Sequence, residues 1–153
     1  MVVEYHREWC WVALEDGRTV SLTGWQLHRS LRSAVSGRRV RADNRELLEV
    51  RVANGKWAAA SWRKTVLLER GRYEFSGLGR TTEISASTTN GVILRLSGDL
   101  EFPGVTNSTS WVALRHEFEV AGETEEELVC EFRGAEGAGF FDLSSLKLRR
   151  LPR

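Results

Sequence analysis

The sequence predicts an all-β fold, an antiparallel β-sandwich formed by a single domain of residues 1–153. About eight to ten short segments alternate apolar and polar residues, which is the two-residue period of half-buried strands. Glycine is frequent, with 14 residues, and proline is scarce, with 2. This balance is typical of tight turns, because glycine accepts backbone angles that other residues avoid. A hydrophobic content of 41% in 153 residues is enough for one buried core.

The first part of the chain contains two local signals. Residues 8–14 and 18–22 alternate apolar and polar positions on either side of Asp16-Gly17, a pair that favours a β-hairpin turn. Leu27, Leu31 and Val35 recur every four residues, which predicts one or two helical turns within residues 26–36. We expect almost no other helix.

Residues 29–45 form a basic segment that contains six arginines and a single acidic residue, Asp43. One interpretation is a patch for an anionic glycan or a nucleic acid. The interpretation we favour is a solvated surface whose arginines pair with the acidic turn at residues 123–127, since runs of one charge sign are usually solvated. The net charge of the whole chain, +1, indicates neither a nucleic-acid nor a membrane partner.

The middle of the chain predicts three more strands, at residues 46–53, 62–68 and 91–96. In the last of these, Arg95 alternates with apolar residues and should face away from the core. Trp57 stands in a loop of small residues with no apolar period to bury it. The side chains expected to point inward in the first two strands are Leu48, Val50, Val52, Val66 and Leu68.

The last third of the chain carries three alternating runs, from Trp111 to Leu148. The second run places Leu128, Cys130 and Phe132 on one face. In the third run, the period shifts at Ser144-Ser145, which indicates a bulge. The apolar residues of this run are Phe141, Leu143, Leu146 and Leu148.

Two motifs resemble a known family. The C-terminal run reads Gly-x-Gly-Phe-Phe-Asp-x-x-x-Leu over residues 137–146, and Gly71-x-Tyr73-x-Phe75-x-Gly77 follows an earlier strand. Both resemble carbohydrate-binding modules with the jelly-roll, galactose-binding-domain-like fold, whereas residues 1–45 match them poorly. The resemblance implies a non-catalytic carbohydrate-binding or accessory module, and it implies that Trp111, which matches a structural tryptophan of the family, is a core residue. It also implies an extracellular or cell-surface location within a longer chain, although this chain shows no signal peptide.

The alternative function is a structural or protein-interaction β-sandwich that has no sugar site, because a fold does not dictate one function. We expect a polysaccharide or glycan partner and a monomer. In the resembling modules, the aspartate that matches Asp142 often helps to hold a structural calcium ion, with an acidic residue near the N-terminus. Glu4 is the only obvious second acid here. The other interpretation of Asp142 is a side chain that caps a turn.

A sugar site needs an aromatic plane and a few polar groups that donate hydrogen bonds in fixed directions. The sequence contains six tryptophans, a high number for its length. We predict that a sugar stacks on Trp57 and is hydrogen-bonded by Arg95, while Trp57 could instead cap the edge of the core. Trp25 and Trp62 are further ligand-binding candidates, although packing is the role we favour for both.

The sequence gives little support for catalysis or for a transition metal. It contains no Gly-x-Ser-x-Gly, no His-Glu-x-x-His and no phosphate-binding loop, and its three histidines are scattered, so we predict that it is not an enzyme. Cys10 and Cys130 have no metal-ligand spacing. Two buried free thiols are the interpretation we favour, and a disulfide that joins two distant strands is the alternative.

Overall fold

The computed structural model describes residues 2–6, 9–12, 17–29, 35–53, 57–82, 91–99 and 105–153, and it describes 2–6 and 9–12 only through their strand pairing. These ranges hold thirteen strands and one short 3-10 helix, at Leu143–Ser145. The strands are β1 (Val2–His6), β2 (Trp9–Val12), β3 (Thr19–Ser21), β4 (Gln26–His28), β5 (Val35–Ala42), β6 (Arg45–Val52), β7 (Ala58–Leu68), β8 (Gly71–Thr82), β9 (Gly91–Leu96), β10 (Val112–Val120), β11 (Thr124–Gly134), β12 (Gly137–Asp142) and β13 (Lys147–Leu151).

Two sheets form a sandwich. Sheet A has the order β1-β2-β7-β11-β9, and β4 also pairs with β7. Strand β2 runs parallel to β7, whereas the other pairs of this sheet are antiparallel. Sheet B has the order β3-β13-β8-β12-β6-β5, and β10 pairs with β8. This confirms the predicted antiparallel β-sandwich.

Strands β12 and β13 lie one after the other along the same edge of β8, with the 3-10 helix between them. Phe141 pairs with Gly79, whereas Lys147 pairs with Ser76, so the connecting segment holds three residues more than a continuous ladder would. The Ser145 hydroxyl accepts a hydrogen bond from the backbone N–H of Leu78 at 2.8 Å. The predicted shift of register is therefore a short helical turn fixed to β8.

The core fills the space between the sheets. All the predicted inward positions of β6, β7 and β11 are buried in it. Trp25 stacks on Phe75 with ring centroids 5.9 Å apart, and the Trp62 indole N–H donates to the carbonyl of Glu49 at 3.1 Å. Cys130 is a free, fully buried thiol, and burial raises its pKa well above the ordinary value. The side chain of Cys10 lies outside the described residues.

Three local predictions for the first half of the chain are wrong. The predicted hairpin does not form, because β2 belongs to sheet A and β3 pairs with β13 in sheet B. The helical turns are replaced by strands in the described residues 26–28 and 35–36, while residues 30–34 lie outside the description. The small residues after Trp57 are not a loop either, since β7 already begins at Ala58.

The prediction that Trp111 is a core residue is also wrong. It is only partly buried and packs against a separate cluster, formed by Leu47, Ala138 and Phe140. The pairing pattern explains this position, because Val112 lies opposite Gly79, whose position faces the core, and Trp111 has the opposite orientation. Trp111 therefore lies on the outer face of sheet B.

The arginines of the basic segment do not all have the predicted partners. Arg38 lies 3.4 Å from Glu49, and Arg45 pairs with Asp142. In the acidic turn, Glu127 is bound by Arg63 instead, at 2.6 Å. Strand pairing explains the difference, since β5 and β6 form a ladder within sheet B and the acidic turn lies at the start of β11 in sheet A. Among the described residues, no helix is long and apolar enough to cross a membrane.

Candidate functional site

The candidate site lies on the outer face of sheet A, the side that points away from the core. Cross-strand pairing identifies its residues, because directly paired residues share a face of the sheet. One row across the sheet is His28, Ser61, Glu131 and Ile93. The next row is Gln26, Arg63, Val129 and Arg95. Arg95 therefore points away from the core, as the sequence predicts.

Arg95 is held by a carboxylate on this face. Its Nε and Nη2 groups donate to the two oxygens of Glu131, each at 3.0 Å, and its Nη1 donates to the carbonyl of Leu96 at 2.9 Å. Arg133 donates from Nε to the same carboxylate at 2.7 Å. The Arg95 side chain is 11% exposed. This forked geometry is a strong, oriented ion pair, so most of the donors of Arg95 are engaged within the protein.

Glu131 is ionised over most of the pH range because of these neighbours. Burial would raise the pKa of Glu131, but the hydrogen bonds and charges of Arg95 and Arg133 outweigh it, so its pKa is lowered. The cluster of Arg95, Glu131 and Arg133 is therefore a fixed arrangement of charges at the floor of this face. Ser61, Val129 and Ile93 beside it are buried as well, although they point away from the core.

A pocket of about 180 Å³ opens next to the cluster. Arg63 forms one wall, and it donates to Ser61 at 2.9 Å and to Glu127 at 2.6 Å. Gln26 and His28 of β4 form another wall, and both are exposed. The pocket thus offers amide, imidazole, guanidinium and carboxylate groups on adjacent strands. Its full lining is Gln26, Leu27, His28, Arg63, Thr65 and Glu127.

Sequence reasoning missed this pocket because it depends on β4. Three residues are too few to show a period, and the spacing of Leu27 with Leu31 and Val35 indicated a helix. The exposed alternation of Gln26 and His28 around Leu27 is the only local signal, and it is weak in a segment this short. Arg63 and Glu127 lie 64 residues apart in the chain, so only the pairing of β7 with β11 brings them together.

Trp57 is the one large apolar side chain among the described residues that is mainly exposed, at 55%. It directly precedes β7, and strand alternation gives it the orientation of Ser61 and Arg63. It is six residues from Arg63, and six residues of extended chain span about 20 Å. Arg95 lies two strands further across, about another 10 Å. The structure thus separates Trp57 from Arg95, and the two cannot hold a single sugar ring together.

The other two tryptophan candidates are buried, Trp25 at 3% and Trp62 at 7% exposure. Their indole N–H groups donate to backbone carbonyls, so both rings are fixed in the core. This agrees with the packing role that the sequence favours for them. No stacking surface of either ring is available to a ligand.

Asp142 has the surroundings of a capping residue. One carboxylate oxygen accepts hydrogen bonds from the N–H of Ser144 at 3.2 Å and its hydroxyl at 2.9 Å, and the other pairs with Arg45. These are donors and a cation, whereas calcium requires six to eight oxygen ligands. The described residues contain no group of three or more His, Cys, Asp or Glu side chains that could hold a metal. The arrangement around Asp142 therefore does not fit a calcium ion, and the side chain of Glu4 lies outside the described residues.

Comparison with known proteins agrees with this architecture. No protein-family profile matches the sequence, and no curated protein matches it. Among solved structures, the CBM22-1 xylan-binding domain of Xyn10C from Paenibacillus barcinonensis superimposes with a TM-score of 0.60 at 16% identity, covering 92% of this chain and 99% of that domain. A CBM4 structure gives a TM-score of 0.56 at 12% identity, with 82% and 86% coverage.

A third similar structure is the family 11 carbohydrate-binding module of the cellulase Lic26A-Cel5E from Clostridium thermocellum. Its TM-score is 0.52 at 11% identity, and the alignment covers 92% of this chain and 99% of that module. Identities this low establish the fold alone. The chain therefore has the β-sandwich, jelly-roll fold that carbohydrate-binding modules share.

Proposed function

We propose that this protein is a non-catalytic carbohydrate-binding module that binds an extended glycan along the outer face of sheet A. The observation that carries the proposal is the exposed ring of Trp57 at one end of β7, on the same face as the polar pocket around Arg63. An indole offers a flat apolar plane to a sugar ring, and the pocket offers donors and acceptors to sugar hydroxyls.

The spacing of these groups favours a chain of sugars over a monosaccharide. Trp57 and Arg63 are separated by about 20 Å of extended strand, so one ligand reaches both only if it holds several sugar rings. The fixed cluster of Arg95, Glu131 and Arg133 lies on β11, the strand next to β7 in sheet A, and on β9 beyond it. We assign it a positioning role, because the Nε and Nη2 donors of Arg95 are already hydrogen-bonded to Glu131.

The likeness in fold to modules that include a xylan-binding domain supports this class of ligand. By the same likeness, we propose an extracellular or cell-surface location within a longer chain, with the module acting as a monomer. The rival function is a protein-interaction sandwich without a sugar site, which would be favoured if every candidate aromatic ring were buried. Trp57 is exposed, so this condition is not met, and glycan titration distinguishes the two functions.

A titration with oligosaccharides of increasing length tests the proposal. We expect xylo- and cello-oligosaccharides or a related neutral glycan to bind with an affinity that rises with the number of sugar units and then levels off. Isothermal calorimetry, with a glycan array as the first screen, measures this. A folded protein that is silent toward neutral and acidic glycans would overturn the proposal, and equal affinity for mono- and hexasaccharides would overturn the extended geometry.

A further inference from the structure

A second arrangement of arginine and aromatic side chains lies on the opposite side of the molecule, on the outer face of sheet B. Phe140 of β12 pairs with Arg80 of β8, and Trp111 precedes β10 at the position next to Arg80 on its other side. The guanidinium carbon of Arg80 lies 4.8 Å from the centre of the Phe140 ring and 5.2 Å from that of Trp111. Arg80 is therefore held between two aromatic rings.

Arg80 has no ion pair and no hydrogen bond to any described residue, and its buried Nε lacks an acceptor. The neighbouring arginines differ in this respect. Arg45 pairs with Asp142, and Arg38 and Arg51 share Glu49 at 3.4 Å and 3.5 Å. A half-buried guanidinium without a counter-charge is unfavourable, because part of its hydration is lost and no carboxylate replaces it. The aromatic rings orient this charge, but they do not neutralise it.

A second arginine, Arg45, contacts the same Trp111 ring as Arg80 and connects this arrangement to a cavity. Arg45 lies 5.4 Å from the centre of the Trp111 ring and also lines a pocket of about 500 Å³. This volume is within the usual range for small-molecule sites. Most of its lining residues carry a hydroxyl, amide or charged group, while their apolar parts supply more than half of the lining surface, and sugar sites commonly combine the two. The lining residues besides Arg45 are Ser21, Leu22, Thr23, Arg41, Asn44, Glu46, Leu143 and Ser144.

We propose that this surface is a second ligand site, which binds the carboxylate of an acidic sugar. The carboxylate pairs with the free edge of the Arg80 guanidinium, because a planar fork of N–H donors matches the two oxygens of a carboxylate. The sugar hydroxyls are bound on the side of Arg45 and its pocket. The site lies on the other sheet from Trp57, so it is independent of the neutral-glycan site proposed above.

The test compares uronic acids with their neutral counterparts. D-galacturonate and D-glucuronate are titrated against the full chain by NMR, with D-galactose, D-glucose and acetate as controls at equal ionic strength. We expect the uronates to bind and to shift the signals of the Trp111 indole and the Arg80 side chain. We expect neutral sugars and acetate to bind at least tenfold more weakly.

Four variants locate the effect. Arg80→Gln removes the charge and should weaken uronate binding tenfold or more, whereas Arg72→Gln, which changes an exposed arginine of the same strand, should leave it unchanged. Melting temperatures show whether Arg80→Gln folds, and Arg80→Lys, which keeps the charge but loses the fork, should bind with intermediate affinity. Trp57→Ala should retain uronate binding, which separates this site from the neutral-glycan site.

Several results would overturn the inference. Uronate affinity that is the same in the wild type and in Arg80→Gln would show that Arg80 is not the anion partner. Acetate that binds as well as the uronates would show a general carboxylate site, such as one for acidic protein side chains, and not a sugar site. Absence of uronate binding to the wild type at millimolar concentration would also contradict it.

Discussion

The two outer faces of the sandwich both display arginines, but the arginines are held in different ways. On sheet A, Glu131 accepts hydrogen bonds from Arg95 and Arg133, and Glu127 pairs with Arg63. On sheet B, Arg80 lies between the rings of Trp111 and Phe140 and has no acidic partner among the described residues. In the first arrangement every arginine is paired with a carboxylate, although three arginines share two glutamates, whereas in the second the guanidinium of Arg80 has no carboxylate partner among the described residues.

The difference indicates what each face can bind. A network of satisfied ion pairs is rigid, which suits a neutral ligand that adds hydrogen bonds to groups already in place. An arginine oriented by aromatic rings without a carboxylate partner keeps its terminal Nη donors available, which suits an anion. The predictions below change one face at a time.

The largest effect is expected for Glu131→Ala on sheet A. The substitution leaves Arg95 and Arg133 without their shared carboxylate, and removing one partner of a buried pair costs about 3–5 kcal/mol. Urea denaturation measures the loss in the free energy of unfolding. Glu117→Ala is the matched control, because Glu117 is exposed and its arginine contacts are 3.7 Å long, so its effect should be below about 1 kcal/mol. Equal losses in the two variants would contradict this account of sheet A.

A related prediction concerns the pH dependence of stability. The pKa of Glu131 is lowered in the folded protein from its ordinary value of 4.5. Its ionised form therefore stabilises the fold above the unfolded-state pKa, and this contribution is lost as the pH falls through the lower, folded-state pKa. We expect the wild type to lose stability in this acid range more steeply than Glu131→Gln, which cannot titrate there. Parallel stability curves for the two proteins between pH 6 and pH 3 would show that the carboxylate does not contribute in this way.

Replacing one arginine on each face by methionine should lower the free energy of unfolding by different amounts. Both losses should be smaller than that of Glu131→Ala. Arg95→Met leaves Glu131 with the hydrogen bond from Arg133 and should cost about 2 kcal/mol or more, since a buried charge loses two hydrogen bonds. Arg80→Met removes a charge that has no acidic partner and keeps an apolar chain between the rings. Its cost should stay within about 1 kcal/mol, the usual worth of a cation–π contact. Thermal and urea denaturation of both variants check the order, and a larger loss for Arg80→Met would reverse the comparison.

Much of the fold is predictable from the sequence because the strands of the core follow a strict two-residue period. Leu48, Val50 and Val52, and likewise Leu128, Cys130 and Phe132, alternate with outward residues and are buried as predicted. The errors fall where local signals compete with pairing between distant strands. Asp16-Gly17 predicts a hairpin, yet β3 pairs with β13, more than a hundred residues later in the chain.

The candidate site was only partly predictable for the same reason. Trp57 is exposed although the loop predicted around it is a strand from Ala58 onward, and the outward direction of Arg95 follows from alternation. Neither observation predicts the distance between the two side chains, because that distance depends on the order and register of β7, β11 and β9. The partner of Arg95 was also hidden, since Glu131 lies 36 residues away on the neighbouring strand.

Trp57→Ala should have the smallest effect on stability of all these changes and the largest effect on glycan binding. The side chain is 55% exposed, so its loss should change the free energy of unfolding by about 0.5 kcal/mol or less. Trp62→Ala, five residues along the same segment, removes a core ring and should cost about 3–5 kcal/mol. The decisive measurement is a calorimetric titration of wild type and Trp57→Ala with a neutral hexasaccharide that binds the wild type. The account predicts unchanged stability with affinity reduced at least tenfold, and an unchanged affinity in the folded variant would contradict it.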